Sequence, residues 1–203
     1  LPEAFILGKK FIGNSNVCLI LGDNIFYGQM FKTFLLNAMK LRYGASVFSY
    51  QVNNPKEFGV IKFNKDKKAI LIEEKPKNPK SNYAISGLYF YDNKVVSYAK
   101  KLKPSKRGEL EISDLNNIYL RKKQLNVIQL GRGFAWLDTG NHENILEASN
   151  FIQVIEKRQG LKIACIEELA YRNQWITKKE LLKIAKNMIV GSYSDYLKSI
   201  AEE

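Results

Sequence analysis

The segment Tyr83–Tyr91 constrains the fold most. It is a nine-residue run, dense in aromatic and apolar side chains and free of proline, and it reads as a strong β-strand. Other short runs of strand character recur along the chain: Val17–Leu21, Ala45–Val52, the pair Gly59–Phe63 and Ala69–Glu74 around Asn64-Lys65-Asp66, and Leu125–Leu130. Between them stand helix-compatible stretches at Met30–Arg42, Asp92–Leu102, Glu111–Arg121 and Asn141–Arg158. This alternation predicts an α/β fold, with a mixed, mostly parallel sheet of Rossmann type between helices. The character changes after about residue 160. Thr177 and Glu180 form a capping-box pattern, and Gly191 separates a final helix. The expected division is an α/β core over 1–160 and a helical appendage over 161–203.

Composition narrows the function classes. The chain of 203 residues is 45% hydrophobic and 26% charged, enough to build a core. No apolar run approaches the roughly 18–20 residues of a membrane helix. Cys18 and Cys165, each among apolar neighbours, read as buried free thiols in a reducing, cytoplasmic setting. The single histidine, His142, leaves little scope for a Ser-His-Asp triad. The formal net charge of +12 admits nucleic acid, anionic membranes or phosphorylated small molecules as partners. The excess is lysine scattered in pairs, not gathered on one helix face, which argues against nucleic acid and for a solvated surface.

Several positions could carry chemistry. Asp23 follows a strand-like run, in Leu21-Gly22-Asp23-Asn24. Ligands bind at that edge of open α/β sheets, so Asp23 is either a metal ligand or a turn cap. Asp138, in Trp136-Leu137-Asp138-Thr139-Gly140, is either a second ligand or the cap of the next helix. If the two meet, their hard oxygens and substrate phosphates would suit Mg²⁺. Glu73-Glu74-Lys75-Pro76 ends a strand: Lys75 could hold a phosphate and Glu74 could accept from sugar hydroxyls, or both could belong to an exposed edge. Gly59 permits close approach of a ligand ring, or a simple turn. Asn82–Tyr89 carries small residues that fit either a sugar wall or tight packing.

The order of these motifs is more specific than any one of them. LGDNIFYG at 21–28 is followed by FGV at 58–60, EEKP at 73–76 and NYAISGLYFYD at 82–92. RGELEISD at 107–114 and GFAWLDTG at 133–140 complete the series. This succession resembles the sugar nucleotidyltransferases, and among them the glucose-1-phosphate thymidylyltransferase type, over essentially the whole chain. The resemblance implies Mg²⁺-dependent nucleotidyl transfer from dTTP to glucose 1-phosphate, releasing pyrophosphate. By motif match, Asp23 and Asp138 would bind the metal and Lys75 the sugar phosphate. Asn24, Gly59, Glu74 and Ile85 would line the sugar and product site, with Glu109 and Glu111 at its border or at an interface. The resemblance also implies a homotetramer, a helical tail near a second nucleotide site, and a place in dTDP-rhamnose or surface polysaccharide synthesis. Uridylyl- and cytidylyltransferases, and a non-catalytic chain that binds sugar phosphate or a partner, are the alternatives. The family's Gly-rich triphosphate loop has no counterpart here, so the chain is expected to correspond to the C-terminal two-thirds of such an enzyme.

Overall fold

The computed structural model describes residues 1–203. Two compact units, Leu1–Thr139 and Gly140–Glu203, divide the chain. The helix that begins at His142 therefore groups with the later helices, whereas the change in residue character placed the division near 160. That helix buries only Ala148 fully, so its apolar positions do not mark it as a sheet-covering element.

The first unit is built on a mixed sheet. Its strands are β1 (Val17–Ile20), β3 (Ala45–Gln51), β4 (Gly59–Phe63), β5 (Ala69–Glu74), β6 (Tyr83–Tyr91) and β7 (Leu125–Leu130). The order is β5-β4-β6-β3-β7, with β1 also on β6. The α/β class and the mixed sheet are as expected, but parallel pairing is confined to β3–β7. β1–β6, β3–β6, β4–β5 and β4–β6 all run antiparallel. The mostly parallel sheet fails for a topological reason. β4 and β5 form a hairpin, and the central β6 runs antiparallel to β1, β3 and β4, so only β3 and β7 are arranged as parallel neighbours joined across intervening helices.

The aromatic run is central because it is buried on both faces. On one face Ile85, Tyr89 and Tyr91 join Val47, Ile61 and Ile72. That face is covered by Phe5 of α1 (Glu3–Leu7), Val95 and Ala99 of α4 (Val95–Ala99), and Leu115 and Tyr119 of α5 (Ile112–Arg121). On the other face Leu88 and Phe90 join Phe48, Leu130 and Ala38 of α3 (Phe31–Met39). The period of two along β6 thus feeds two cores. The short helices α1 and α2 (Lys9–Ile12) carry no sequence signal beyond their apolar anchors Phe5 and Ile12. In β1, Val17 and Leu19 pack inward while Cys18 faces out. The buried thiol expected at 18 is therefore exposed, because strand alternation overrides its apolar neighbours; Cys165 is buried.

A separate two-stranded ribbon, β2 (Asn24–Tyr27) with β8 (Ala135–Asp138), completes this unit. The second unit holds α6 (His142–Gln159), α7 (Ile166–Arg172), α8 (Lys178–Asn187) and α9 (Ser192–Glu202). Its core gathers Cys165, Leu181, Ala185, Leu197 and Ile200. The capping box of Thr177 and Glu180 opens α8 as the sequence indicates. No helix is long and apolar enough to cross a membrane.

Asp92 fastens β6 to its surroundings. Its buried carboxylate accepts from the Gly44 N–H at 2.7 Å, the Tyr119 hydroxyl at 2.8 Å and the Lys94 N–H at 3.1 Å. Removing it leaves buried donors without partners, which costs more than the bonds themselves contribute. Asp92→Ala is expected to lower unfolding stability by about 3 kcal/mol, read from the urea midpoint at unchanged denaturant slope.

Candidate active site

Asp23 and Asp138 stand 115 positions apart in the sequence, and the β2–β8 ribbon brings them together. Asn24 pairs directly with Asp138, so Asp23 is a diagonal neighbour of Asp138 at the open end of the ribbon. Thr139 clamps that end: its N–H and its hydroxyl both donate to the Asp23 carbonyl oxygen at 2.8 Å. The Asp23 carboxylate is oriented by Asn24, whose Nδ2 donates to Asp23 Oδ1 at 2.8 Å.

Asn24 is in turn fixed from two sides. Its Oδ1 accepts from Trp136 Nε1 at 2.7 Å and from the Gly87 N–H at 3.0 Å. A side chain at Gly87 would collide with that Oδ1 and with Leu21. The small residues inside β6 thus serve close packing around Asn24.

The other candidates gather at the open end of the β4–β5 hairpin, where Gly59 pairs with Glu74. Ser113, in the first turn of α5, donates through its hydroxyl to Glu74 Oε2. A Cβ on Gly59 would lie 2.6 Å from Ser113 Oγ and 3.4 Å from Glu74 Oε2, so this position has to be glycine for the pair to form. Lys75 is exposed and turns through the left-handed region, at φ 39°, immediately before Pro76. Both features are costly for a lysine, and its N–H bond to the Phe58 carbonyl at 3.0 Å helps to hold it there.

Burial pushes the Glu74 carboxyl above its usual range. The Ser113 hydrogen bond opposes this, the nearby Glu111 adds to it, and the Lys75 and Arg107 cations pull back. Glu111 is buried; its carboxylate accepts from the Ser105 hydroxyl at 2.7 Å and faces Arg107 at 3.7 Å. Glu109 is exposed and lies 3.6 Å from the same Arg107.

Phe58 links the two groups. Its ring packs at 5.1 Å from Trp136, whose indole holds Asn24. Tyr50 meets the same indole edge-on at 6.0 Å. Asp23, Asn24 and Asp138 on one side, and Gly59, Glu74 and Lys75 on the other, therefore flank one aromatic floor. Ile85 is the exception. Its side chain is buried in the core with Ile61 and Ile72, so it offers a ligand only backbone. Phe58, Ser113, Thr139 and Trp136 touch the candidate residues, and residue-by-residue reading does not single them out. The one sequence signal is Trp136, two residues before Asp138 and so on the same strand face.

Asp23 and Asp138, one position out of register at the end of the ribbon, are two hard oxygen donors; no third His, Cys, Asp or Glu side chain joins them. Such a pair fits a cation that takes its other ligands from phosphates and water.

The sequence profile of the nucleotidyl transferase family matches residues 1–154. The chain belongs to this family. It is 56% identical over 197 residues to the glucose-1-phosphate thymidylyltransferase of Neisseria meningitidis serogroup A, covering 97% of this chain and 68% of that protein. To the enzyme of the same name from Mycobacterium tuberculosis it is 45% identical over 202 residues, covering all of this chain and 70% of the relative. A crystal structure of a candidate glucose-1-phosphate thymidylyltransferase from Bacillus anthracis, in complex with sucrose, matches with a TM-score of 0.66 at 42% identity. That match covers 74% of this chain and 60% of that one. The chain thus spans about two-thirds of the length of these curated relatives. An apo UDP-glucose pyrophosphorylase, with a TM-score of 0.66 at 24% identity, shares the fold.

Two outcomes test the site's internal geometry. Trp136→Phe removes one donor to Asn24 but keeps an aromatic ring; it is expected to cost about 1 kcal/mol of stability and to shift the Asn24 side-chain amide resonances. Unchanged resonances would show that the indole does not hold Asn24. Glu74 predicts a pH effect. Its folded pKa lies above the usual 4.5, so just above that pH the folded state binds more protons than the unfolded chain. Stability therefore falls as pH rises through the interval. Glu74→Gln keeps an acceptor for Ser113 and should flatten that slope in urea titrations run upward from the usual carboxyl value of 4.5.

Proposed function

We propose that the protein carrying this chain transfers a thymidylyl group from dTTP to glucose 1-phosphate, giving dTDP-glucose and pyrophosphate. The observation that carries the reading is the β2–β8 register, which sets Asn24 opposite Asp138 and leaves Asp23 beside them. The names of the curated relatives support the choice of glucose 1-phosphate and thymidine.

In this reaction a phosphate oxygen of glucose 1-phosphate attacks the α-phosphorus of dTTP. One P–O bond forms, the bond to the β-phosphate breaks, and pyrophosphate leaves. The nucleophile is already an anion, so the protein supplies no base; its work is positioning and charge neutralisation. Lys75 places an ammonium at the sugar phosphate, from a backbone conformation held by Phe58. Glu74 accepts hydrogen bonds from sugar hydroxyls, with Ser113 fixing the carboxylate. Gly59 leaves room for the sugar ring beside that carboxylate, and Ile85 presents backbone. Asn24 keeps the Asp23 carboxylate turned toward the position it shares with Asp138. Mg²⁺ held by Asp23 and Asp138 would neutralise charge on the nucleotide phosphates. The same proposal includes cytoplasmic synthesis of an activated sugar for dTDP-rhamnose or other surface polysaccharide, by a homotetramer.

The test is sugar-dependent pyrophosphate release from dTTP and glucose 1-phosphate with Mg²⁺. Asp138→Ala is expected to lower the rate by at least about a hundredfold. Lys75→Ala is expected to raise the KM for glucose 1-phosphate about tenfold or more and leave the KM for dTTP nearly unchanged. Equal effects on both substrates would remove Lys75 from the sugar-phosphate role. No release in the presence of UTP, CTP or dTTP would overturn the reading.

A further inference from the structure

The sheet ends at β5 on one side and β7 on the other, yet both edges approach α5, because the sheet curls around that helix. At the C-terminal end of α5 the curl leaves a cavity of about 610 Å³ lined by both edges. It opens at the β4–β5 turn. Phe63 pairs with Ala69 there and Gly59 with Glu74 at the other end of the hairpin, so it lies roughly 13 Å along the strands from the candidate active site.

Its lining divides by chemistry. Ile70, Leu120, Leu125 and Val127 supply an apolar floor; Ile70 is 52% exposed, at the register break between the Lys62–Leu71 and Phe63–Ala69 pairs. Lys67, Lys68 and Lys123 supply the rim. None of the three makes a salt bridge, whereas the adjacent Lys122 lies over the Tyr98 ring at 5.7 Å. Three like charges around one opening repel one another, a cost that a bound anion relieves.

The rim is also held in place. Asn64 Oδ1 accepts from the N–H groups of Asp66 and Lys68, and the Lys67 N–H returns to the Asn64 carbonyl. Across the cavity the Lys123 N–H bonds Leu120, and Gln124 bonds Tyr119. Lys67 and Lys123 both sit in the left-handed region, at φ 58° and 55°, so their stems leave from fixed turns. A volume in the ordinary range for small-ligand sites, an apolar floor and cations carried on held turns suit one kind of ligand.

We infer that this inter-edge cavity binds a small organic phosphate, with the phosphate on Lys67, Lys68 and Lys123 and the apolar body against Ile70, Leu120 and Val127. Two features of the chain meet here that the transfer reaction does not use: the lysine excess of the turns and the half-exposed Ile70.

Phenyl phosphate, inorganic phosphate and glucose 1-phosphate serve as probes, titrated into the isotope-labelled chain and followed in amide correlation spectra. Phenyl phosphate is expected to give saturable shifts over residues 67–70 and 123–127. Its affinity should be at least about tenfold above that of inorganic phosphate, because only it buries a ring. The combined Lys67→Ala, Lys68→Ala and Lys123→Ala variant should weaken binding about tenfold or more, while Lys100→Ala with Lys101→Ala should leave it unchanged. Dispersed spectra of each variant report folding. Shifts confined to Asp23, Glu74 and Lys75 would overturn the proposal and leave the transferase reading standing. Non-saturating shifts, or equal affinity in the triple variant, would overturn it too and leave the lysines as guards against edge pairing.

Discussion

The side-chain amide of Asn24 is the point on which the site depends. Its oxygen faces two donors, Trp136 Nε1 and the Gly87 N–H, and its nitrogen faces a carboxylate oxygen of Asp23. Reversing the amide would set N–H against N–H on one side and oxygen against oxygen on the other, so only one orientation satisfies all three partners. These bonds join β2 to β8 and the ribbon to β6. Two four-residue strands make a weak ribbon by themselves. Here the ribbon gains its place through a residue that also orients the acidic group at its end.

The face of the ribbon that carries Asn24 and Asp138 also carries Phe26 and Trp136, by alternation and register. One end is polar and the other aromatic. Phe26 stacks on Phe31 at 5.4 Å, Phe31 meets Phe134 at 6.0 Å, and Phe34 meets Phe134 at 5.6 Å. The apolar burial that seats the ribbon is thus kept within two residues of the carboxylates, without burying them. Asp23 stays exposed; a carboxylate placed at the aromatic end would carry a heavy desolvation cost. Glu74 shows the contrast: it is more deeply placed, and its carboxyl is correspondingly harder to ionise.

The sequence exposes elements whose signal is local. The aromatic β6 and the capping box at Thr177 are readable because alternation and cap chemistry act within a few residues. The α5 stretch is readable too, although it begins one residue later than expected. The ribbon is not readable. Asn24–Tyr27 follows turn residues and Ala135–Asp138 follows a glycine loop, and neither is long enough to display a period. Their pairing depends on a contact across more than a hundred residues, which no local pattern encodes. Asp23 and Asp138 were thus recognisable as candidates by motif order, while the reason they meet was not. Ile85 is a different case. A motif places a residue in a strand, but alternation decides which face it takes. Its side chain shares the core face with Tyr89 and Tyr91, which leaves its backbone for the site.

The two halves of the site lie on separate sheets, and their direct link is a ring contact. Phe58 precedes Gly59 in the chain, accepts the Lys75 N–H through its carbonyl, and rests its ring on Trp136. The halves are also tied indirectly through β6, which pairs with β4 and donates the Gly87 N–H to Asn24. Between the halves themselves the contact is one of dispersion and buried area, which change gradually with sliding. Each half is held rigid internally, by Asn24 on one side and by the Ser113–Glu74 pair over Gly59 on the other. That division suits a reaction that must hold a sugar phosphate against a second phosphate compound: precision is needed within each half, and adjustment is needed between them.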